Sequence, residues 1–135
     1  NLDSCEYIVD VPADWTSQIV EELDDIYDES SAEDWDGYGA LPISQEVYFE
    51  VKKILSLIPT SYPKPEITPE PDGAIGIEWY IDTGYSFIIS VTGRNIINYA
   101  GLFGRNNETY GTEDFSNFIP KTILNSLTRL FPRTE

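Results

Sequence analysis

The chain has 135 residues, 41% of them hydrophobic and 13% aromatic, which is enough apolar material for one substantial core and excludes global disorder. Its net charge of -16 comes from 24 acids against 8 bases, with fifteen of the acids ahead of the first cation, Lys52. A field of that sign repels nucleic acid and anionic membranes, and it draws a basic surface at a rate that falls with salt.

Asp14 is a candidate helix N-cap, and Ile19, Val20, Leu23, Ile26 and Tyr27 recur on one helical face, which predicts a first helix from about Trp15 to Glu29. Its other faces carry Glu21, Glu22, Asp24, Asp25, Asp28 and Glu29. Like charges four apart, at 21/25, 24/28 and 25/29, each cost roughly 0.2–0.5 kcal/mol in an isolated helix. Several of these acids also sit near the helix C-terminus, where the dipole disfavours them. Such a face is either a solvated surface carried along by tertiary packing or a docking face for a basic partner. A second helix is predicted after Leu41-Pro42-Ile43, with Ser44 as cap, a buried stripe of Val47, Val51, Ile54, Leu55 and Ile58, and Pro59 closing it.

Four prolines between Ser61 and Gly73 forbid helix and suit an extended linker or an edge strand. Beyond them Ile75, Ile77, Trp79 and Ile81 alternate with polar residues or glycine, the pattern of a half-buried strand. Asp82-Thr83-Gly84 turns the chain into a second strand with Tyr85, Phe87, Ile89 and Val91. Thr92-Gly93-Arg94-Asn95 turns it again into a third, with Ile96, Asn98, Ala100 and Leu102. Residues 104–111 read as a polar loop. Ile119, Ile123, Leu124, Leu127, Leu130 and Phe131 then predict a C-terminal helix, with a cap in Ser116-Asn117 and Pro120 in its first turn. Together these elements predict a single two-layer α+β domain over residues 1–135. It consists of two N-terminal helices, an antiparallel meander of three to four strands and a C-terminal helix, with the helices on one face of the sheet.

Between the first two helices lies the most distinctive short segment, Trp35-Asp36-Gly37-Tyr38-Gly39-Ala40, followed by Pro42. Its glycines supply positive φ angles and its aromatics can pack on the helix ends. Together with Pro69, Asp72-Gly73 and the strand Ile75-Gly76-Ile77-Glu78-Trp79, this segment resembles an uncharacterised family of small bacterial proteins. That family carries a Trp-Asp/Asn-Gly-x-Gly-Ala-x-Pro segment and a later Glu-Trp strand. The resemblance spans about residues 33–92. It implies mobile or accessory gene neighbourhoods, but no settled activity and no catalytic residues.

With no His, the commonest general base, the Ser-His and Cys-His nucleophile pairs and imidazole metal ligands are all missing. A carboxylate pair such as Asp36 with Glu78 is the one hydrolase chemistry left, since glycoside hydrolysis needs only two acids at a fixed distance. The acids at 33, 34 and 36 do not follow the spacing of a twelve-residue calcium loop, and no glycine run forms a phosphate loop, so neither metal nor cofactor is expected. Cys5 is alone, which rules out an internal disulfide and a thiolate cluster and points to a reducing, cytoplasmic setting. No basic segment followed by an apolar one marks a signal peptide, and a start at Asn1 without Met fits processing or trimming. Apolar runs such as Phe87-Ile88-Ile89 fall far short of the roughly 20 residues that span a bilayer.

The expectation is therefore a non-enzymatic acidic interaction protein, an inhibitor or antitoxin- or immunity-like binder of a basic protein. Glu21, Glu22, Asp25, Asp28, Glu29 and Asp36 supply its charge, and Trp15, Trp35 or Tyr38 its aromatic anchors. The alternative is a DNA-mimic inhibitor that offers its carboxylates to the groove of a nucleic-acid-binding protein. No direct contact with nucleic acid or membrane is expected.

Overall fold

Ile19 and Leu23 recur at helical spacing and are buried on one side of α1 (Thr16–Ser30) in the computed structural model, which describes residues 14–132. Asp3, Glu6, Asp10 and Cys5 lie outside the described residues. The helix begins one residue later than the sequence suggests. Trp15 occupies the cap position, and Asp14 acts from one residue upstream, its Oδ1 accepting the Thr16 N–H at 2.9 Å. Hydrogen bonds from the Thr16 side chain and backbone hold the Asp14 carboxyl below its ordinary range. Helix α2 (Gln45–Leu57) matches its predicted cap: Ser44 Oγ accepts the Val47 N–H at 3.2 Å, and Val47, Val51, Ile54 and Leu55 face the core.

The strands β1 (Glu66–Pro69), β2 (Ile75–Asp82), β3 (Tyr85–Val91), β4 (Ile96–Phe103) and β5 (Glu108–Asp114) form one antiparallel sheet in chain order. Five strands exceed the expected three to four. The proline-rich segment supplies β1, which lies at an edge, where the missing N–H of Pro69 is tolerated. The predicted loop over residues 104–111 is half wrong, because strand β5 begins at Glu108 and pairs with β4 from Leu102↔Glu108 to Ile96↔Asp114. Its sequence, ETYGTED, has no apolar alternation. The ladder to β4, not a buried face, defines it.

Ile75, Ile77 and Trp79 of β2, Phe87, Ile89 and Val91 of β3, and Ile97 and Phe103 of β4 are buried on one face. In β4 the inward set is therefore Ile97, Tyr99, Gly101 and Phe103, and Asn98, Ala100 and Leu102 point outward, the reverse of the phase read from the sequence. Gly101 explains the shift. A Cβ there would lie 2.7 Å from the Phe103 ring and 3.0 Å from Phe87, so two aromatic rings fill the space of its missing side chain.

Helix α3 (Lys121–Leu130) lies across β3 and β4 through Ile123, Leu127 and Leu130. Pro120 stands at its cap position with extended backbone rather than within the first turn, and Ser116 and Asn117 do not cap it. Arg129 sits 4.2 Å from the Phe103 ring centroid. With α1 against β1 and α2 against β3, the helices form one layer over the sheet, an α+β architecture in which the described helices and strands share a core. The linker before β1 is tied in place: Trp15 Nε1 donates to the Tyr62 carbonyl and Trp79 Nε1 to the Pro63 carbonyl, both at 2.8 Å. Among the described residues, no helix is long and apolar enough to cross a membrane.

Candidate protein-binding face

At 100° per residue, Glu21, Asp25 and Asp28 fall within about 60° of one another on α1, flanked by Asp24 and Glu29. This ridge is opposite the buried Ile19 and Leu23 and runs about 12 Å along the helix axis. Glu21, Asp24, Asp25, Asp28 and Glu29 are all exposed, and no basic residue occupies the last turn of the helix. Glu22 differs from them. It is half-buried at the flank and pairs with Lys64 Nζ at 2.8 Å, the one ion pair among the described residues, and so ties α1 to the linker. Asp24 accepts a short hydrogen bond from the Tyr48 hydroxyl of α2. That bond, then burial and the charges of Asp24 and Asp28, raise the Tyr48 phenol above its ordinary value. Tyr48 in turn lies between Tyr27, tilted against it with ring centroids 4.9 Å apart, and Phe49, which it meets edge-on at 5.1 Å.

The loop between α1 and α2 closes on its own backbone. Asp36 Oδ1 accepts the N–H groups of Tyr38 at 2.8 Å and Ala40 at 3.1 Å, and Asp34 Oδ1 accepts that of Gly39 at 2.6 Å. Trp35 is half-buried and donates its indole N–H to the Leu41 carbonyl at 2.8 Å. The N–H of Leu41 reaches the Pro71 carbonyl at 2.8 Å, so the segments around residues 35–42 and 69–73 meet in space. Asp36 and Trp35 are thus engaged in holding the loop, whereas Tyr38 at its tip is 94% exposed. Glu78, once paired with Asp36 as a hydrolase option, lies on β2 on the sheet face away from the helices, and the carboxylate of Asp36 is occupied by backbone amides.

A second group of residues was not singled out by sequence. Phe49 projects from α2 off the phase of its buried stripe and is 57% exposed, beside a cleft of about 340 Å³ floored by Phe115. Its one sequence signal is that an aromatic residue stands where the 47/51/54/55 stripe leaves the solvent side. On its other flank, Phe49 borders the notch that holds Asp24 and Asp28. Comparison of the chain with family models, with curated proteins and with solved structures found no match in any of the three.

Proposed function

We propose that this chain is a non-enzymatic acidic protein that binds a basic protein and inhibits it, in the manner of an antitoxin or immunity protein. The observation that carries this reading is the outer ridge of α1, where Glu21, Asp25, Asp28 and Glu29 are exposed and paired with no cation among the described residues. Their mutual repulsion costs helix stability, and a basic partner would convert that repulsion into attraction on contact. Tyr38, presented by the braced loop that follows α1, and Phe49, which borders the notch of Asp24 and Asp28, are the aromatic anchors. Glu22, Trp35 and Asp36 support this surface by positioning it, since each is already engaged within the chain. A reducing, cytoplasmic setting accords with the single Cys5.

The test is a pull-down from nuclease-treated lysate at low salt, eluted by a salt gradient and read by mass spectrometry. A basic protein released in one narrow salt step is the expected result, and no specific basic protein retained would overturn the proposal. The DNA-mimic form of the same inhibitor differs in one outcome: duplex DNA would displace the partner in competition.

A further inference from the structure

Glu50 of α2 points toward the turn between β3 and β4, where its Oε2 accepts the Asn95 N–H at 2.8 Å. Its second oxygen, Oε1, is shielded from solvent and has no hydrogen-bond partner among the described residues. Glu50 as a whole is half-buried, and Oε1 is the part of its carboxylate that has neither water nor a donor. The same side chain lines the cleft described above, together with Phe49, Phe115, Glu46 and Lys53. Lys53 does not supply the missing donor. Its ammonium is directed to Asn117 Oδ1 at 3.1 Å and lies 5.7 Å from the Phe115 ring centroid. The cleft therefore joins an apolar floor, two carboxylates and a cation that is already engaged.

We infer that this cleft receives one cationic side chain, an arginine or lysine of the basic partner, whose alkyl stem lies on the exposed Phe49 ring and whose charged head donates to Glu50 Oε1. This rests on the functional reading given above and names the partner's chemistry at one point of contact. The terminal torsion of a glutamate is soft, so a small rotation turns Oε1 toward the cleft while the Asn95 N–H keeps an acceptor. An alkyl stem against aromatic rings with a charge-assisted bond at its end is the arrangement in which Arg and Lys bury their length and keep their charge satisfied. Phe49, bordering both the cleft and the acidic notch of Asp24 and Asp28, makes this point of contact continuous with the ridge of α1.

The probe is N-acetyl-arginine methylamide, titrated into the full chain and followed by amide NMR, with N-acetyl-norleucine methylamide as the uncharged control. Saturable shifts at Phe49, Glu50 and Asn95 with the arginine probe alone are expected. They weaken roughly tenfold in Glu50→Gln, whose amide oxygen still accepts from Asn95, and several-fold in Phe49→Ala, a change at an exposed position. Absence of saturable shifts, shifts confined to α1, or shifts unaltered by Glu50→Gln would each overturn the inference. A salt-step partner recovered in the pull-down despite a silent cleft would overturn this inference and leave the functional reading standing. Cleft binding with no basic protein retained would overturn the functional reading, and with it the assignment of the cation to a protein partner.

Discussion

Replacing Glu21, Asp25 and Asp28 together with Gln, Asn and Asn separates the cost of the acidic ridge from its use. All three like-charge pairs four apart on α1 involve at least one of these positions, so the triple variant removes every one of them. At roughly 0.2–0.5 kcal/mol per pair, and with some further relief from taking Asp28 away from the negative end of the helix, the folded state gains about 1 kcal/mol. The neutral replacements change helix propensity little. The buried Ile19 and Leu23 are untouched, as are the Asp24–Tyr48 and Glu22–Lys64 contacts. For a chain of this length, about 1 kcal/mol raises Tm by about 3–4 °C. Differential scanning calorimetry at low salt measures it, and the gain should shrink toward zero near 1 M salt, where the screening length is about 3 Å. The same variant should lose the partner recovered by pull-down. Binding retained at full strength would refute the docking role of the ridge. An unchanged or lowered Tm at low salt would refute the premise that these acids repel one another without compensation.

The loop offers a contrasting pair: Asp36→Ala removes an acceptor of two backbone amides and should lower stability by about 1–2 kcal/mol in urea unfolding. Tyr38→Ala should leave stability unchanged and weaken partner binding, and the reverse pattern would assign the two residues opposite roles. Gly101→Ala places a methyl group 2.7 Å from the Phe103 ring and should cost about 1–3 kcal/mol, read from the shift of the urea midpoint at constant m-value. A neutral result there would contradict the packing of Phe87 and Phe103 on that glycine. Because the Tyr48 phenol is raised in the folded chain, its stabilising contribution is complete below the ordinary tyrosine value and is lost as pH rises through the raised one. Asp24→Asn should bring that ionisation back down, followed by NMR of labelled tyrosine rings, and an unmoved titration would deny Asp24 its part in the shift.

Elements that bury one regular stripe are readable in the sequence because burial writes a period into it. Helix α2 announces itself through Ser44 and the 47/51/54/55 spacing, β3 through alternation, and β2 through alternation as far as Trp79, beyond which a register shift between Tyr80 and Asp82 leaves the expected core residue Ile81 exposed. Three features escape that signal for separate reasons. Strand β5 is held by its ladder to β4 and buries no side chain, so ETYGTED carries no apolar period at all. Strand β4 contains two adjacent isoleucines and a glycine at an inward position, and the space at that glycine is filled by the ring of Phe103 from the strand's own end and that of Phe87 from the neighbouring strand, so its phase depends on packing that the apolar pattern does not carry. Pro120 takes the cap position itself, with extended backbone, which displaces the polar cap expected upstream.

The site divides along the same physical line. That Glu21, Asp25 and Asp28 share a face follows from helical geometry alone, since it needs only the period of one element. Which acids are already committed does not follow, because Glu22 with Lys64, Asp24 with Tyr48 and Glu50 with Asn95 join residues that only the tertiary fold brings together. Charge counted along the chain therefore overstates the number of carboxylates on offer and hides their quality. Glu22 and Asp36 are spent within the molecule, whereas Glu50, inconspicuous in the sequence, carries the one carboxylate oxygen among the described residues that is buried without a donor. An exposed acid in water loses little by remaining unpaired, whereas a shielded carboxylate oxygen without a donor carries a desolvation cost. Under the proposed reading, the partner's cation is placed at Phe49 and Glu50, and the more conspicuous ridge of α1 governs long-range approach and its dependence on salt.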